Sequence, residues 1–434
     1  DFVKTVVGGA AGTALIASSK RSARAKAKPK YPKGPVRIAV VSFLTGAAAA
    51  PFGIPGNNTF KMLAEITNKK GGILGREIEI LAYDEAGGVD SQVKLCRKLI
   101  LDEKVDVILG YISSADCKAV LPLSDELGGL IIAYDCGTHV LMEGNKTPFK
   151  VPKYQLGFRS KAHLGIDNIG LALFIKKYMP NIKTIAGINQ DYAWGRDSWR
   201  VFEAAMKKLM PHVKVVGTWW PPLFTTDYTA HISALLGAKP DIVHTSFWGG
   251  DTVTFTKQAM AMGLFEKTTV AYSRGEPYPQ EIGKDFPENQ IICCAGTHYF
   301  LYPPHDKWPL NKWFVSEYYK RYDKYPTYPC YHAYQAFFTY KTAVEKAAAL
   351  VGRWPTLEEI SKAAVGLSIE TPSGHLMIRE DHNGIEDVLV GFTKRVSGHK
   401  FPILDPERME VFPAHQVNAP VGVRTLDWIK GWKV

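Results

Sequence analysis

The chain has 434 residues, 46% of them hydrophobic and 22% charged, with a formal charge of +11. That length exceeds one ordinary core and predicts two lobes, and the composition excludes a disordered or collagen-like chain. Residues 1–33 hold eight Lys and Arg against Asp1 alone, +7 of the +11. The body is therefore only mildly basic, and without a basic helix or RNA-binding motif no nucleic-acid partner is predicted.

The opening "FVKTVVGGAAGTALIASS" (2–19) is weakly apolar and contains a Gly-Gly pair. Lys20, Arg21 and Arg24 follow, with A-x-A pairs at Ala23/Ala25 and Ala25/Ala27. This is the shape of an export signal with a small-residue cleavage site, too short and Gly-rich for a membrane span. Phe2, Val3 and Lys4 resemble the part of a twin-arginine signal just after its arginines. An ordinary secretory signal is the alternative, and either route predicts an extracytoplasmic, periplasmic protein.

From Val36 the pattern is regular. "VRIAVVSF" (36–43) is the continuous apolar run of a strand buried on both faces of a parallel sheet. A helix follows at about 57–70, then a strand at 77–84, a helix at 89–103 and a strand at 105–113. "ADCKAVLPLSDELG" predicts a helix and "LIIAYD" (130–135) a strand. The alternation restarts with helix "IDNIGLALFIKKYM" and strand "TIAGINQ", and continues to "DIVHTSFW" and "TTVAYS". Two rounds of β-α-β predict an α/β fold with two doubly wound, Rossmann-like lobes. Later come "QIICCAGTHY", helices around 308–323 and 332–351, and a Pro-rich, irregular tail after about 400.

Catalytic and cofactor signatures are missing: no G-x-x-x-x-G-K-[ST], strand-linked G-x-G-x-x-G, G-x-S-x-G or H-E-x-x-H. "DHNGIED" (381–387) lacks the spacing and final glutamate of a calcium loop and reads as a tight turn. Six cysteines show no C-x-x-C spacing. His244, on a buried strand, reads as a core residue. No enzyme, cofactor or metal is predicted.

"VRIAVVSFLTG", "NKKGGILGREIEILAYDEAGGVDSQVKLCRKLILDEKVDVILGYISS" (68–114) and "ETPSGHLMIREDHNGIEDVLVGF" (370–392) together resemble a family. It is that of the type I periplasmic solute-binding proteins of ABC transporters, in the branch binding leucine, isoleucine, valine and other hydrophobic solutes. The resemblance runs from about Val36 to Gly391. It implies two lobes joined by three crossovers, near 155–160, 297–302 and 375–379. The implied division is a signal and basic linker at 1–33, an N-terminal lobe at 34–157 plus 299–376, a C-terminal lobe at 158–298 plus 377–400, and a tail at 401–434. It also implies a receptor, monomeric, that closes over a solute and presents it to membrane permease subunits.

The ligand is expected where the strands end, in the crevice between the sheets. Ser113 and Ser114 open a helix there, where hydroxyls and N–H groups suit an anion. Cys136, through its backbone, and Thr138 come from "AYDCGTH". The positions matching Ser114 and Thr138 grip an amino-acid carboxylate in the resembling family, although Ser114 equally reads as a helix cap. Phe52, Trp194, Phe247 and Trp248 stand singly at loop starts and are expected to form apolar walls. Arg274, in "AYSRGEP", falls where amino-acid-binding relatives carry an acid for the ligand ammonium. An arginine there attracts a carboxylate instead; a register shift would put Glu276 in its place. The expected solute is a small apolar or aromatic carboxylate. Branched-chain amino acids, then amides or urea, are alternatives, and a ligand-sensing regulator is the alternative class.

Overall fold

A computed structural model describes residues 31–300 and 308–433. The predicted export signal, with its cleavage sites at Ala23, Ala25 and Ala27, lies outside the described residues. In the first lobe, β1 (Val36–Ser42), β2 (Ile78–Asp84), β3 (Val107–Gly110), β4 (Ile131–Ala133) and β5 (Gly157–Arg159) form one parallel sheet in the order β2-β1-β3-β4-β5. β1 is buried along nearly its whole length, as its unbroken β-branched run demands, with helices over the sheet faces.

The second sheet gathers β6 (Thr184–Ile188), β7 (Lys214–Trp219), β8 (Ile242–Thr245), β9 (Thr269–Tyr272) and β10 (Ile291–Cys293), all parallel. His244 on β8 is a core residue, its Nε2 2.8 Å from Asn168 Oδ1 and its ring stacked on Phe202. After β10 the chain returns to the first lobe. Helix Tyr328–Val351 packs on helix Ile54–Lys69, and helix Leu357–Ala364 starts with a Thr356/Glu359 capping box. A small antiparallel sheet follows: β11 (Ser368–Thr371), β12 (Gly374–Ile378) and β13 (Gly384–Ile385). Then β14 (Val388–Lys394) joins the second sheet antiparallel to β10.

The structure differs from the expected boundaries at the third crossover and in the tail. The third crossover lies at 386–387, not 375–379, because β12 pairs with both β11 and β13, keeping 377–385 with the first-lobe elements. Nor is the region after 400 an irregular tail. β15 (Ile403–Phe412) forms the outer edge of the second sheet against β14. Pro406 hides the strand in the sequence; it is accommodated because β15 is an edge strand with a register shift opposite Gly391/Thr393.

Residues 414–430 carry two short helices that pack on helices Leu164–Tyr178 and Ala193–Leu209 of the second lobe. The same segment hydrogen-bonds residues 143–149 of the first lobe: Phe149 N donates to Gly422 O and Arg424 N to Thr147 Oγ1. Among the described residues no helix is long and apolar enough to cross a membrane.

Candidate solute site between the lobes

Loops after β1, β3 and β4 face loops after β6, β8 and β9 across the inter-lobe crevice. They converge on a narrow gap of only about 10 Å³ between Phe52, Ile112, Ser114, Asp135 and Gly137 on one side and Tyr192, Trp194, Trp248 and Arg274 on the other. Tyr328, at the start of helix Tyr328–Val351, closes the wall. A larger and more open compartment of about 410 Å³ adjoins it at Tyr192, lined mainly by apolar groups including Phe43, Leu223 and Phe224.

The aromatic walls are held in place. Trp194 Nε1 donates to Ser246 O at 2.7 Å, and Trp248 Nε1 to the Tyr192 hydroxyl. Trp248 meets Phe52 edge-on across the crevice at 5.5 Å, and Phe52 meets Tyr328 at 4.9 Å. Gly137 is required for this approach: a Cβ there would overlap the Trp194 ring and come within 3.2 Å of Arg274 Nη2.

Arg274 is 3% exposed and lies over the Trp194 ring, 4.5 Å from its centroid. Its Nη1 is 3.0 Å from Asp135 Oδ1, and its Nε 3.4 Å from Asp167 Oδ2. Burial works against the guanidinium charge, but the two carboxylates outweigh it and raise the Arg274 pKa. Burial raises both aspartates, against the pull of Lys161 and Arg274. Lys161 is equally buried, 3.7 Å from Asp135 Oδ1, and burial followed by Arg274 brings it down to about 8. Arg274 is thus a balanced charge, not a lone cation.

Phe52, Ser114, Trp194, Trp248 and Arg274 line this cavity, and Ser113 lines the adjoining compartment. Ser113, not Ser114, caps the helix, its Oγ accepting from Asp116 N at 3.4 Å. The other expected residues are turned away. Phe247 packs on Tyr228 and Phe255 in the second-lobe core, because neighbouring residues at a strand end point to opposite sides. The Cys136 carbonyl accepts from Arg159, and its side chain joins the first-lobe core. Thr138 donates its hydroxyl to Asp197 Oδ2 at 2.6 Å and does not line the cavity. Glu276 is buried outside the cavity, accepting from Tyr328 N, so Arg274 is the residue of that loop that lines it.

Sequence reasoning missed Ile112, Asp135, Tyr192 and Tyr328. Asp135 lay inside the quoted loop "AYDCGTH", and Tyr192 stands two residues before the expected Trp194; Tyr328 precedes the helix expected from 332 and had no signal. Among the described residues, His298, His332 and Glu386 form a group able to hold a metal. They adjoin Asp135 through His332 and do not line the cavity.

Two α/β lobes with an aromatic, Arg-bearing cavity at their strand ends are the architecture of a two-lobed binding-protein fold. The family model described as periplasmic binding protein matches residues 35–395, and the chain belongs to that family. The Leu/Ile/Val-binding protein homolog 4 of Brucella abortus (strain 2308) is 24% identical over 243 residues, 55% of this chain and 56% of that relative. The chain spans about half the length of the curated relatives it matches. Among solved structures, a periplasmic binding protein of Burkholderia mallei aligns with TM-score 0.77 at 18% identity, covering 92% of this chain and 99% of that one. An ABC-transporter solute-binding protein of Rhodopseudomonas palustris BisB5, in complex with 3,4-dihydroxybenzoic acid, aligns with TM-score 0.73 at 20% identity, covering 88% and 98%. These likenesses concern the fold.

Proposed function

We propose that this chain is the extracytoplasmic solute-binding component of an ABC importer, without catalysis of its own. It closes over a small apolar or aromatic carboxylate and hands it to a membrane permease. The observation that carries this reading is the aromatic cavity between the lobes with Arg274 and Ser114 as its polar end. A guanidinium has five N–H donors. Contacts to Asp135 and Asp167 involve Nε, Nη1 and Nη2 once each and Tyr328 takes another, which leaves one N–H for a carboxylate. The aromatic acid bound by the Rhodopseudomonas palustris protein supports the same class. The signal-like residues 2–27 support export, with the twin-arginine route as the finer expectation.

A second reading rests on Asp135. It also lines the cavity, and its buried Oδ2 has no hydrogen-bond partner. An acceptor in that position suits an ammonium or amide N–H, as in a branched-chain amino acid, an amide or urea. Calorimetric titration with benzoate, 4-hydroxybenzoate, leucine, valine, acetamide and urea separates the readings. Tight binding of the aromatic acids alone is expected; binding of leucine or an amide alone replaces the first reading with the second. Turnover of any of them overturns the receptor assignment.

A further inference from the structure

All three connectors between the lobes meet at one buried carboxylate. Glu386 sits on the third connector and accepts at 3.3 Å from Ala162 N of the first. The structure places that first connector at 160–163, between β5 and helix Leu164–Tyr178, and not at the expected 155–160. His298, on the second connector, brings Nε2 to 3.4 Å from Glu386 Oε2. His332 belongs to helix Tyr328–Val351, and ligand atoms of all three side chains lie within 4.8 Å of one another. We propose that His298, His332 and Glu386 form a buried site for one divalent transition-metal ion of the zinc class, at the junction of the three connectors.

Three observations carry this. First, His298 is fully buried, and neither of its ring nitrogens has a hydrogen-bond partner. Such a group is rare in a folded protein and calls for an unseen partner. The 3.4 Å separation from Glu386 matches the ligand–ligand edge of a tetrahedron with bonds of about 2.0–2.1 Å, the distances zinc takes to imidazole and carboxylate.

Second, His332 faces oxygen on both sides: Nδ1 is 2.7 Å from Asp135 Oδ1 and Nε2 is 3.2 Å from Ala295 O. A neutral imidazole carries one proton, so one nitrogen would oppose a lone pair. With Nδ1–H donated to Asp135, a metal on Nε2 removes that conflict, and Asp135 becomes the carboxylate that orients a metal-bound histidine.

Third, Gly296 leaves the space between the side chains open: a Cβ there would strike His298 and lie 2.8 Å from Glu386 Oε2. Two imidazoles and a carboxylate favour zinc-like ions over calcium or magnesium. An ion bound here would tie the second and third connectors to a first-lobe helix.

The test uses the full chain, stripped with chelator and then titrated with Zn²⁺ or Co²⁺. One equivalent bound is expected, with the intense visible absorption of four-coordinate cobalt and a thermal midpoint raised by a few degrees in excess zinc. His298→Gln and Glu386→Gln should each abolish both signals, whereas His399→Gln, at an exposed site, should keep them. Should a variant fail to fold, the cobalt spectrum and stoichiometry of the unaltered chain decide. No binding, a six-coordinate cobalt spectrum, or a spectrum surviving both substitutions overturns the proposal. A doubly protonated His332 in metal-treated protein, seen by ¹⁵N resonance, overturns it equally.

Discussion

The hydroxyl of Thr138 donates to the carboxylate of Asp197 at 2.6 Å, joining the loop after β4 of one lobe to helix Ala193–Leu209 of the other. Both residues are buried, so the bond exists only while the lobes are together. A hydrogen bond to a charged group contributes about 1.5–3 kcal/mol. Thr138→Val should therefore cut the closed-to-open ratio roughly ten- to hundredfold. X-ray scattering of the solute-free protein checks this, with a larger radius of gyration expected for the variant. An unchanged scattering curve would show that Thr138 is no latch.

Gly137 has a comparable role through shape. Gly137→Ala places a methyl group against Trp194, and overpacking of this kind costs about 1–3 kcal/mol. The clash is between lobes, so opening relieves it. Affinity for whichever solute the titrations identify should fall ten- to hundredfold, with little change in the melting temperature of the solute-free protein. A large loss of that melting temperature would instead place the strain within one lobe.

Arg274 neutralises two buried aspartates, and removing it strands them. Breaking one side of a buried ion pair costs about 3–5 kcal/mol, so Arg274→Ala should be markedly less stable in urea denaturation. Combining it with Asp167→Asn should restore part of the loss. If Arg274→Ala matches the parent in stability, the ion network is not formed in solution.

Glu143 accepts from Thr425 N and Oγ1, yet burial pushes its carboxyl up to about 7. The folded chain then holds a proton that the unfolded chain has released, between about pH 4.5 and 7. Unfolding free energy falls with rising pH wherever the folded state binds more protons, so this contribution is full below about pH 4.5 and lost through pH 7. Glu143→Gln should flatten that part of the stability–pH profile relative to the parent. Parallel profiles for the two proteins would contradict the assignment.

Much of the fold was legible because buried parallel strands such as β1 announce themselves as unbroken β-branched runs. β15 was not, since Pro406 speaks against a strand and only an edge position with a register shift admits it. At the site, strand-end loops could be located, but the direction of each side chain could not. Phe247 and Trp248 are adjacent aromatics, and the last paired residue of β8, Thr245, decides which one reaches the crevice. Thr138 lies in the right loop, but its hydroxyl is taken by Asp197, a partner 59 positions away that only the closed arrangement supplies. Arg274 was legible as a crevice residue; that Asp135 and Asp167 would balance it was not.

Residues 414–430 rest on second-lobe helices while Thr425 bonds Glu143, and Arg424 bonds Thr147 and Asn145, all in the first lobe. Separating the lobes must either break these bonds or peel the segment off helix Ala193–Leu209. The resistance acts along one flank, so the lobes swing apart like a door fastened down one side. Any separation of the lobes would then widen first on the side away from that flank.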